Sequence, residues 1–272
     1  MSTRPPLDER AVAVLACPVC AAPLAPVADA SALRCADGHL FDRARQGHVS
    51  LLPPGHRPPS GDSAGMVADR VAFLEAGHYA GLTGALADAV DDGTTPATLL
   101  DLGGGTGHHL GGVLDRLPDA VGVVLDSSRY AARRAARAHA RAVSVVADTW
   151  ARVPVADAAV DRVLVVFAPR NGPEIARVLS PVGQLVVVTP AADHLAEIVA
   201  PLGLLRVDPD KAARLAGRSS RTSCRSDRRP SASSSSWTGR RSPRWSAWGR
   251  TPGTSILRRW RRPWRPSRSR SV

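Results

Sequence analysis

The sequence predicts an α/β fold, a Rossmann-like domain with a small metal-binding module in front of it, on three observations. Residues 62–210 alternate short Val/Leu runs with Ala-rich stretches, the pattern of strands and crossover helices in a parallel sheet. The first of those runs ends in a glycine-rich turn, Asp101-Leu102-Gly103-Gly104-Gly105-Thr106-Gly107, as a strand does when its loop receives a ligand and a helix follows. Ahead of both, three of the four cysteines fall in an irregular, Pro- and Gly-rich stretch of 60 residues, a segment that buries too little apolar surface to fold without a staple.

Each element has its own signal. Strands are expected at 98–102, 121–125, 143–147, 160–167 and 184–189, short Val/Leu runs bounded by Gly, Pro or Asp. Continuous apolar runs suit strands covered on both faces. Helices are expected at 64–76, 82–90, 108–117, 128–139 and 173–179. The first opens on Asp62-Ser63, good capping residues, and places Met66, Val67, Val71 and Leu74 at near-helical spacing. The chain divides into a metal module and linker (1–60), the α/β domain (61–217) and a basic Arg/Ser/Trp-rich tail (218–272).

The tail carries the charge. Residues 218–272 hold 16 arginines and one acid, Asp227, whereas residues 1–217 hold 20 basic against 23 acidic side chains. The net +12 therefore says nothing about the domain that holds the chemistry. The tail also holds five of the six tryptophans and 15 serines, and it shows no helical or strand period, as a disordered basic segment would. A second account is coding DNA read out of register. Read one base earlier, 247–256 becomes Gly-Met-Gly-Pro-Asn-Ala-Arg-His-Leu-Asp, a string closer to a globular protein. No apolar run approaches the roughly 20 residues of a membrane span, and the polar first ten residues lack a signal-peptide layout. A cytoplasmic protein is expected, in which cysteines bind metal or stay reduced.

Cys17, Cys20, Cys35 and His39 form C-x2-C-x14-C-x3-H. Two close pairs joined by a loop supply the four ligands that tetrahedral zinc takes, with Pro18 and Gly38 fitting tight turns. Four protein ligands leave no open position, so the role is structural. Cys224 lies too far along the chain to join them.

The glycine turn is spaced G-x-G-x-G with an acid two residues ahead, whereas the dinucleotide fingerprint is G-x-G-x-x-G. Its spacing resembles methyltransferase motif I, where the loop passes under the methionyl part of S-adenosylmethionine. Asp101, Gly103, Gly105 and Gly107 are the candidate cofactor residues there. Asp126 closes the second strand, where a carboxylate accepts ribose hydroxyls, and Asp148 closes the third, near the adenine amino group in methyltransferases. A nicotinamide cofactor is the alternative.

At a finer level the chain resembles the guanine-N1 methyltransferases of large-subunit (23S) ribosomal RNA, both housekeeping and tylosin-resistance types. The resemblance runs from the zinc module through Gly47-His48-Val49-Ser50-Leu51-Leu52-Pro53, Gly61-Asp62-Ser63, Met66 and Ala72-Phe73-Leu74-Glu75-Ala76-Gly77-His78-Tyr79. It continues through motif I, Leu125-Asp126-Ser127-Ser128, Phe167-Ala168-Pro169 and Thr189-Pro190 to His194-Leu195-Ala196-Glu197, about residues 15–215. It implies an S-adenosylmethionine-dependent enzyme in which Tyr79, His109 and His194 contact the cofactor. The Phe167–Asn171 loop follows the fourth strand beside the expected methyl position, where it either holds the target base or is an ordinary βα turn. The resemblance also implies that the end of the chain supplies the last sheet strands, one antiparallel. The tail departs from the family after about Gly217. The resemblance makes large-subunit ribosomal RNA the partner, met by Arg34, Arg43, Arg45 and His48 of the zinc module. A second copy of the chain is a further candidate partner. No residue stands out as the general base. The competing readings are a small-molecule methyltransferase, which the zinc module disfavours, and a catalytically impaired remnant that binds RNA or cofactor.

Overall fold

The computed structural model describes residues 7–56, 61–91, 93 and 98–190, and the backbone of 225–229 and 255–261. Its elements are α1 (Glu9–Val12), β1 (Leu24–Pro26), β2 (Ala32–Cys35), β3 (Leu40–Asp42), β4 (Val49–Ser50), α2 (Ala64–Glu75), α3 (Ala80–Val90), β5 (Thr98–Leu102), α4 (His108–Arg116), β6 (Val121–Asp126), α5 (Arg129–Ala135), β7 (Ala142–Val146), β8 (Val160–Val166), α6 (Gly172–Val178), β9 (Leu179–Pro190), β10 (Arg225–Arg229) and β11 (Ser255–Arg261). Strands β1 to β3 form a small antiparallel sheet. The rest build one large sheet in the order β10-β11-β9-β8-β5-β6-β7-β4.

The central strands are parallel and buried on both faces. Leu99, Leu100 and Leu102 of β5 and Val123, Val124 and Leu125 of β6 are fully buried, each worth roughly 1.5–3 kcal/mol against exposure. Two apolar layers result. Leu99 and Val124 pack with Leu86 of α3 and Leu110 and Leu114 of α4, and Leu100, Leu125, Val163 and Ile175 pack on the other face. The helices begin where the sequence offers caps. Ser63 Oγ accepts the Met66 N–H at 3.3 Å and Ser128 Oγ that of Ala131 at 3.3 Å. Behind β6, the Arg141 guanidinium bonds the carbonyls of Leu114, Leu117 and Ala120, closing the end of α4.

Three features depart from the sequence reading. Residues 7–56 are not a coreless appendage: Ala11, Val12, Leu15, Leu33, Val49 and Leu51 share one buried cluster with Leu100, Val123, Val145 and Val163. Strand β4 pairs with β7, the Leu51 N–H donates to Val146 O at 2.9 Å, and Leu15 bridges Val155. Strands of two to four residues are too short to show a period, which is why the segment reads as irregular. The second departure is β9, which starts at Leu179 rather than 184, with its register against β8 interrupted between Val160 and Arg162. The third is the tail: β11 pairs antiparallel with β9 from Ser255↔Pro190 to Arg261↔Gln184, and β10 pairs with β11. An open sheet edge presents unpaired N–H and C=O groups that accept a strand whatever its side-chain pattern, so Arg/Ser sequence without alternation pairs there. No helix among the described residues is long and apolar enough to cross a membrane.

Candidate active site and metal centre

The strand order reverses at β5, with β6 and β7 on one side and β8 and β9 on the other. Crossovers leave on opposite faces at such a point and open a crevice at the carboxyl ends, where open α/β sheets take ligands. The glycine turn sits there. Gly103, Gly105 and Gly107 have φ of +74°, +56° and +75°, a left-handed backbone that side chains with a Cβ avoid. Close packing adds a second demand: a Cβ on Gly103 would lie 2.6 Å from Ala168 Cβ, and one on Gly104 2.5 Å from Asp101 Oδ2.

The neighbouring strand holds the turn in place. The N–H groups of Gly103 and Gly104 donate to Leu125 O at 2.8 and 3.2 Å. The Gly105 N–H donates to Asp126 Oδ2 at 2.9 Å, and the Ser128 N–H to Asp126 Oδ1 at 2.8 Å. Each Asp126 oxygen thus accepts one backbone donor and keeps a second acceptor position. Burial raises the Asp126 carboxyl above the ordinary range, and these two N–H groups pull against it. Asp101 is buried, and its Oδ1 has no hydrogen-bond partner among the described residues. Burial, and then the charge of Asp126, push its carboxyl up to about 7.

Asp148, also buried, accepts the Trp150 N–H on Oδ1 at 2.8 Å, and its Oδ2 lies 2.9 Å from His56 Nε2. A group of rings gathers around Tyr79, just ahead of α3. Tyr79 lies 5.6 Å from Phe73, 5.9 Å from Phe167 and 6.2 Å from His109 between ring centroids. His109 Nδ1 is 2.9 Å from Thr83 Oγ1, and burial together with His108 lowers its pKa to about 4, so the ring is neutral at neutral pH. Burial raises the Tyr79 phenol, which stays protonated. The turn after β8 holds Phe167 at φ +53° and fixes Asn171, whose Nδ2 donates to Trp150 O at 3.2 Å. His194 lies outside the described residues.

In the N-terminal segment the ligand atoms of Cys17, Cys20, Cys35 and His39 all lie within 4.8 Å of one another. Cys20 Sγ and Cys35 Sγ are 3.7 Å apart, and Cys35 Sγ is 3.3 Å from His39 Nδ1. A tetrahedron with Zn–S of ~2.3 Å has S···S edges of about 3.8 Å, so the cluster has the size that zinc requires.

A protein-family model for a zinc ribbon, described as "RlmA, N-terminal", matches residues 15–58. The 23S rRNA (guanine(748)-N(1))-methyltransferase of Streptomyces fradiae is 52% identical over 215 residues, 77% of this chain and 75% of that protein. A Micromonospora griseorubida protein carrying a provisional name without the position, 23S rRNA (guanine-N(1)-)-methyltransferase, is 54% identical over 219 residues, 74% of either chain. The chain belongs to the 23S rRNA guanine-N1 methyltransferase family. Among solved structures, a chain of the Haloferax volcanii complex of the Trm112 activator with a methyltransferase matches with a TM-score of 0.54 at 20% identity, over 75% of this chain and all of that one. A SAM-dependent methyltransferase from Aquifex aeolicus matches with a TM-score of 0.50 at 11% identity, over 74% of this chain and all of that one. At these identities the two structures speak for the fold alone.

For a guanine-N1 methyltransferase the crevice has the right features to hold S-adenosylmethionine. The orphaned Asp101 Oδ1 is suited to an ammonium group, the left-handed glycines clear the backbone for close approach, and Asp126 has acceptor capacity left. Sequence reasoning missed one residue beside the site, His56, and left another, Gly61 of the Gly-Asp-Ser motif, without a structural role. His56 reaches Asp148 from a Pro/Gly stretch with no spacing signal. Gly61 lies so close to the turn after β6 that an added Cβ would be 2.8 Å from Ser128 Cα. Ser128 Oγ then donates to Asp62 O at 2.7 Å, which ties the Gly-Asp-Ser motif to the Asp126 turn. One assignment needs correcting. Arg43 is buried, with Nε on Gly47 O at 2.9 Å, and holds the β3–β4 connection together instead of facing RNA.

Proposed function

We propose that the chain transfers the methyl group of S-adenosylmethionine to N1 of a guanine in 23S ribosomal RNA. The observation that carries this reading is the glycine turn and three strand-end acids gathered at the switch point of a chain that also holds the ribosomal-RNA family's zinc ribbon. The bound cofactor supplies an electrophilic sulfonium methyl. The protein's part is to align it with the guanine. In this reading Asp101 faces the methionyl ammonium, Asp126 accepts the ribose hydroxyls and Asp148 the adenine amino group. Gly103, Gly105 and Gly107 let the backbone pass beneath the ligand, Tyr79 and His109 cover it, and His194 adds a contact. The loop from Phe167 to Asn171 borders the position of the base. Guanine N1 must lose its proton and be freed from its stack, which single-stranded ribosomal loops permit. Cys17, Cys20, Cys35 and His39 hold structural zinc. In a reaction with a 23S RNA fragment, the expected result is one labelled guanine that halts reverse transcription. Label on a small metabolite with none on RNA would favour the small-molecule reading.

With Arg43 spoken for, the RNA surface needs other cations. Arg34 and Arg45 of the module are exposed, and α5 with its following turn presents Arg129, Arg133 and Arg137 at every fourth position. Arg133 is near enough to His48 to add to the lowering of its pKa, which burial dominates, so the two sets adjoin. Replacing Arg133 and Arg137 by Glu is expected to weaken RNA binding at least about tenfold. The salt slope should fall by about 1 for each phosphate that is no longer neutralised, with S-adenosylhomocysteine binding unchanged. An unchanged salt slope would remove α5 from the surface. The stretch from Arg218 is in this reading out of register. A missing or extra base across the codons for Leu215 to Ser223 supports that, and an intact frame refutes it.

Asp101 gives the site a pH signature. With a folded pKa of about 7, against an ordinary value near 4, the folded chain holds a proton that the unfolded chain has released. Its contribution to stability therefore falls as pH rises from about 4 to 7 and is level above. An ammonium group arriving at Oδ1 favours the carboxylate and expels that proton. Calorimetry at pH 7 in buffers of different ionisation enthalpy should show about half a proton released per S-adenosylhomocysteine, falling to none by about pH 8.5. Asp101→Asn should abolish the release. No release in the wild type would place the ammonium elsewhere.

A further inference from the structure

The strand leaving the zinc ribbon ends at the cofactor crevice. After β4 has paired with β7, the chain continues past Leu51, bonded to Val146 O, and turns at Pro53, whose carbonyl accepts the His56 N–H at 3.0 Å. The turn brings His56 to the carboxyl end of β7, its Nε2 2.9 Å from Asp148 Oδ2. The imidazole is about one-third exposed, while Asp148 is buried, with 8% of its surface exposed. A carboxylate only accepts, so Nε2 is the donor.

We propose that His56 is a positioning residue for adenine recognition, fixing the Asp148 carboxylate so that one of its acceptor positions faces the amino group of the cofactor's base. The proposal rests on the assignment of Asp148 to that amino group. Two donors set the carboxylate plane: the Trp150 N–H on Oδ1, from the strand's own continuation, and His56 on Oδ2, from the ribbon's exit. The backbone donor alone holds one oxygen and leaves the group free to rotate about the side-chain bonds. With both, the remaining lone pairs have fixed directions, and a base presenting N–H₂ is favoured over one presenting a carbonyl. The gain is therefore in discrimination between bases, beyond any gain in affinity. The same contact makes the ribbon part of the cofactor site, since the segment that positions His56 is anchored through β4.

The test compares S-adenosylhomocysteine with S-inosylhomocysteine, in which the amino group is replaced by a carbonyl, by calorimetry on the full-length zinc-loaded protein. Wild type should prefer the adenosyl compound by at least about thirtyfold, the scale of one charge-assisted hydrogen bond exchanged for a repulsion. His56→Ala should cut that preference about tenfold, and His56→Gln, whose amide N–H₂ can donate to the same oxygen, should restore most of it. A loss of affinity for both compounds in equal proportion would mean that His56 only supports the fold, and would overturn the proposal. Asp148→Ala, which removes both acceptor oxygens, separates the two levels. If it leaves the preference intact, the adenine assignment fails and the proposal with it. If it abolishes the preference while His56→Ala does not, the assignment stands and the proposal alone falls.

Discussion

Asp126→Ala is expected to weaken S-adenosylhomocysteine binding by at least about a hundredfold, among the largest effects of any single change in the crevice. The carboxylate has two duties. One oxygen holds the Gly105 N–H at 2.9 Å and the other the Ser128 N–H at 2.8 Å, so it ties the glycine turn to the start of α5. In the proposed reading its remaining acceptor positions take the ribose hydroxyls. Hydrogen bonds to a charged group are each worth about 1.5–3 kcal/mol, and losing two to the ligand costs ~3–6 kcal/mol, about two to four powers of ten. The backbone donors would also be left without partners, that of Ser128 buried, so the empty protein should lose stability too. Asp126→Asn divides the two duties. It keeps one acceptor oxygen, but its N–H₂ must face one of the two backbone donors, so an intermediate loss of about tenfold is expected. Isothermal calorimetry at fixed pH measures both. Alanine binding within threefold of wild type would mean that the ribose lies elsewhere and that Asp126 serves only the turn.

The parts of this site that were legible in the sequence are those that backbone chemistry dictates. A G-x-G-x-G turn after a Val/Leu run has one economical geometry. The three positive φ values at Gly103, Gly105 and Gly107 are the conformations that make glycine necessary there. Asp126 and Asp148 could be placed at the ends of β6 and β7 because those strand ends were legible to within a residue. Cys17, Cys20, Cys35 and His39 were legible because a metal fixes ligand spacing. His56 was not, since its role depends on β4 joining the far edge of the large sheet, and a two-residue strand leaves no period to read. Arg43 was misread for a related reason. A cation in a Pro/Gly-rich segment looks solvated until the hairpin it closes is seen around it. The strands in the tail escaped detection because they pair through an edge that β9 offers, which is a property of β9 and not of the tail.

That shared architecture sets the size of the second large effect. Cys35→Ala is expected to reduce zinc from one per chain to nearly none and to lower the melting temperature by more than about 10 °C. Structural zinc contributes roughly 10–16 kcal/mol in isolated zinc-finger peptides, as much as the whole stability of an ordinary domain. If the ribbon were a separate bead, its unfolding would leave the rest untouched. Here Leu15, Leu33, Val49 and Leu51 are buried in the same cluster as Leu100, Val123 and Val163. Losing the metal therefore strips apolar cover from β6 and β7 and removes β4 from their edge. At about 2–4 °C per kcal/mol for a domain of this size, losing about half of the zinc contribution gives the stated shift. Elemental analysis and thermal unfolding of the purified variant check both halves. Equal metal in the variant would exclude Cys35 as a ligand. Lost metal with a melting temperature within about 2 °C of wild type would show that the ribbon is thermodynamically separate. His39→Cys, which keeps four tetrahedral ligands, should retain both metal and stability, because what the fold requires at that corner is a fourth ligand for the zinc and not an imidazole.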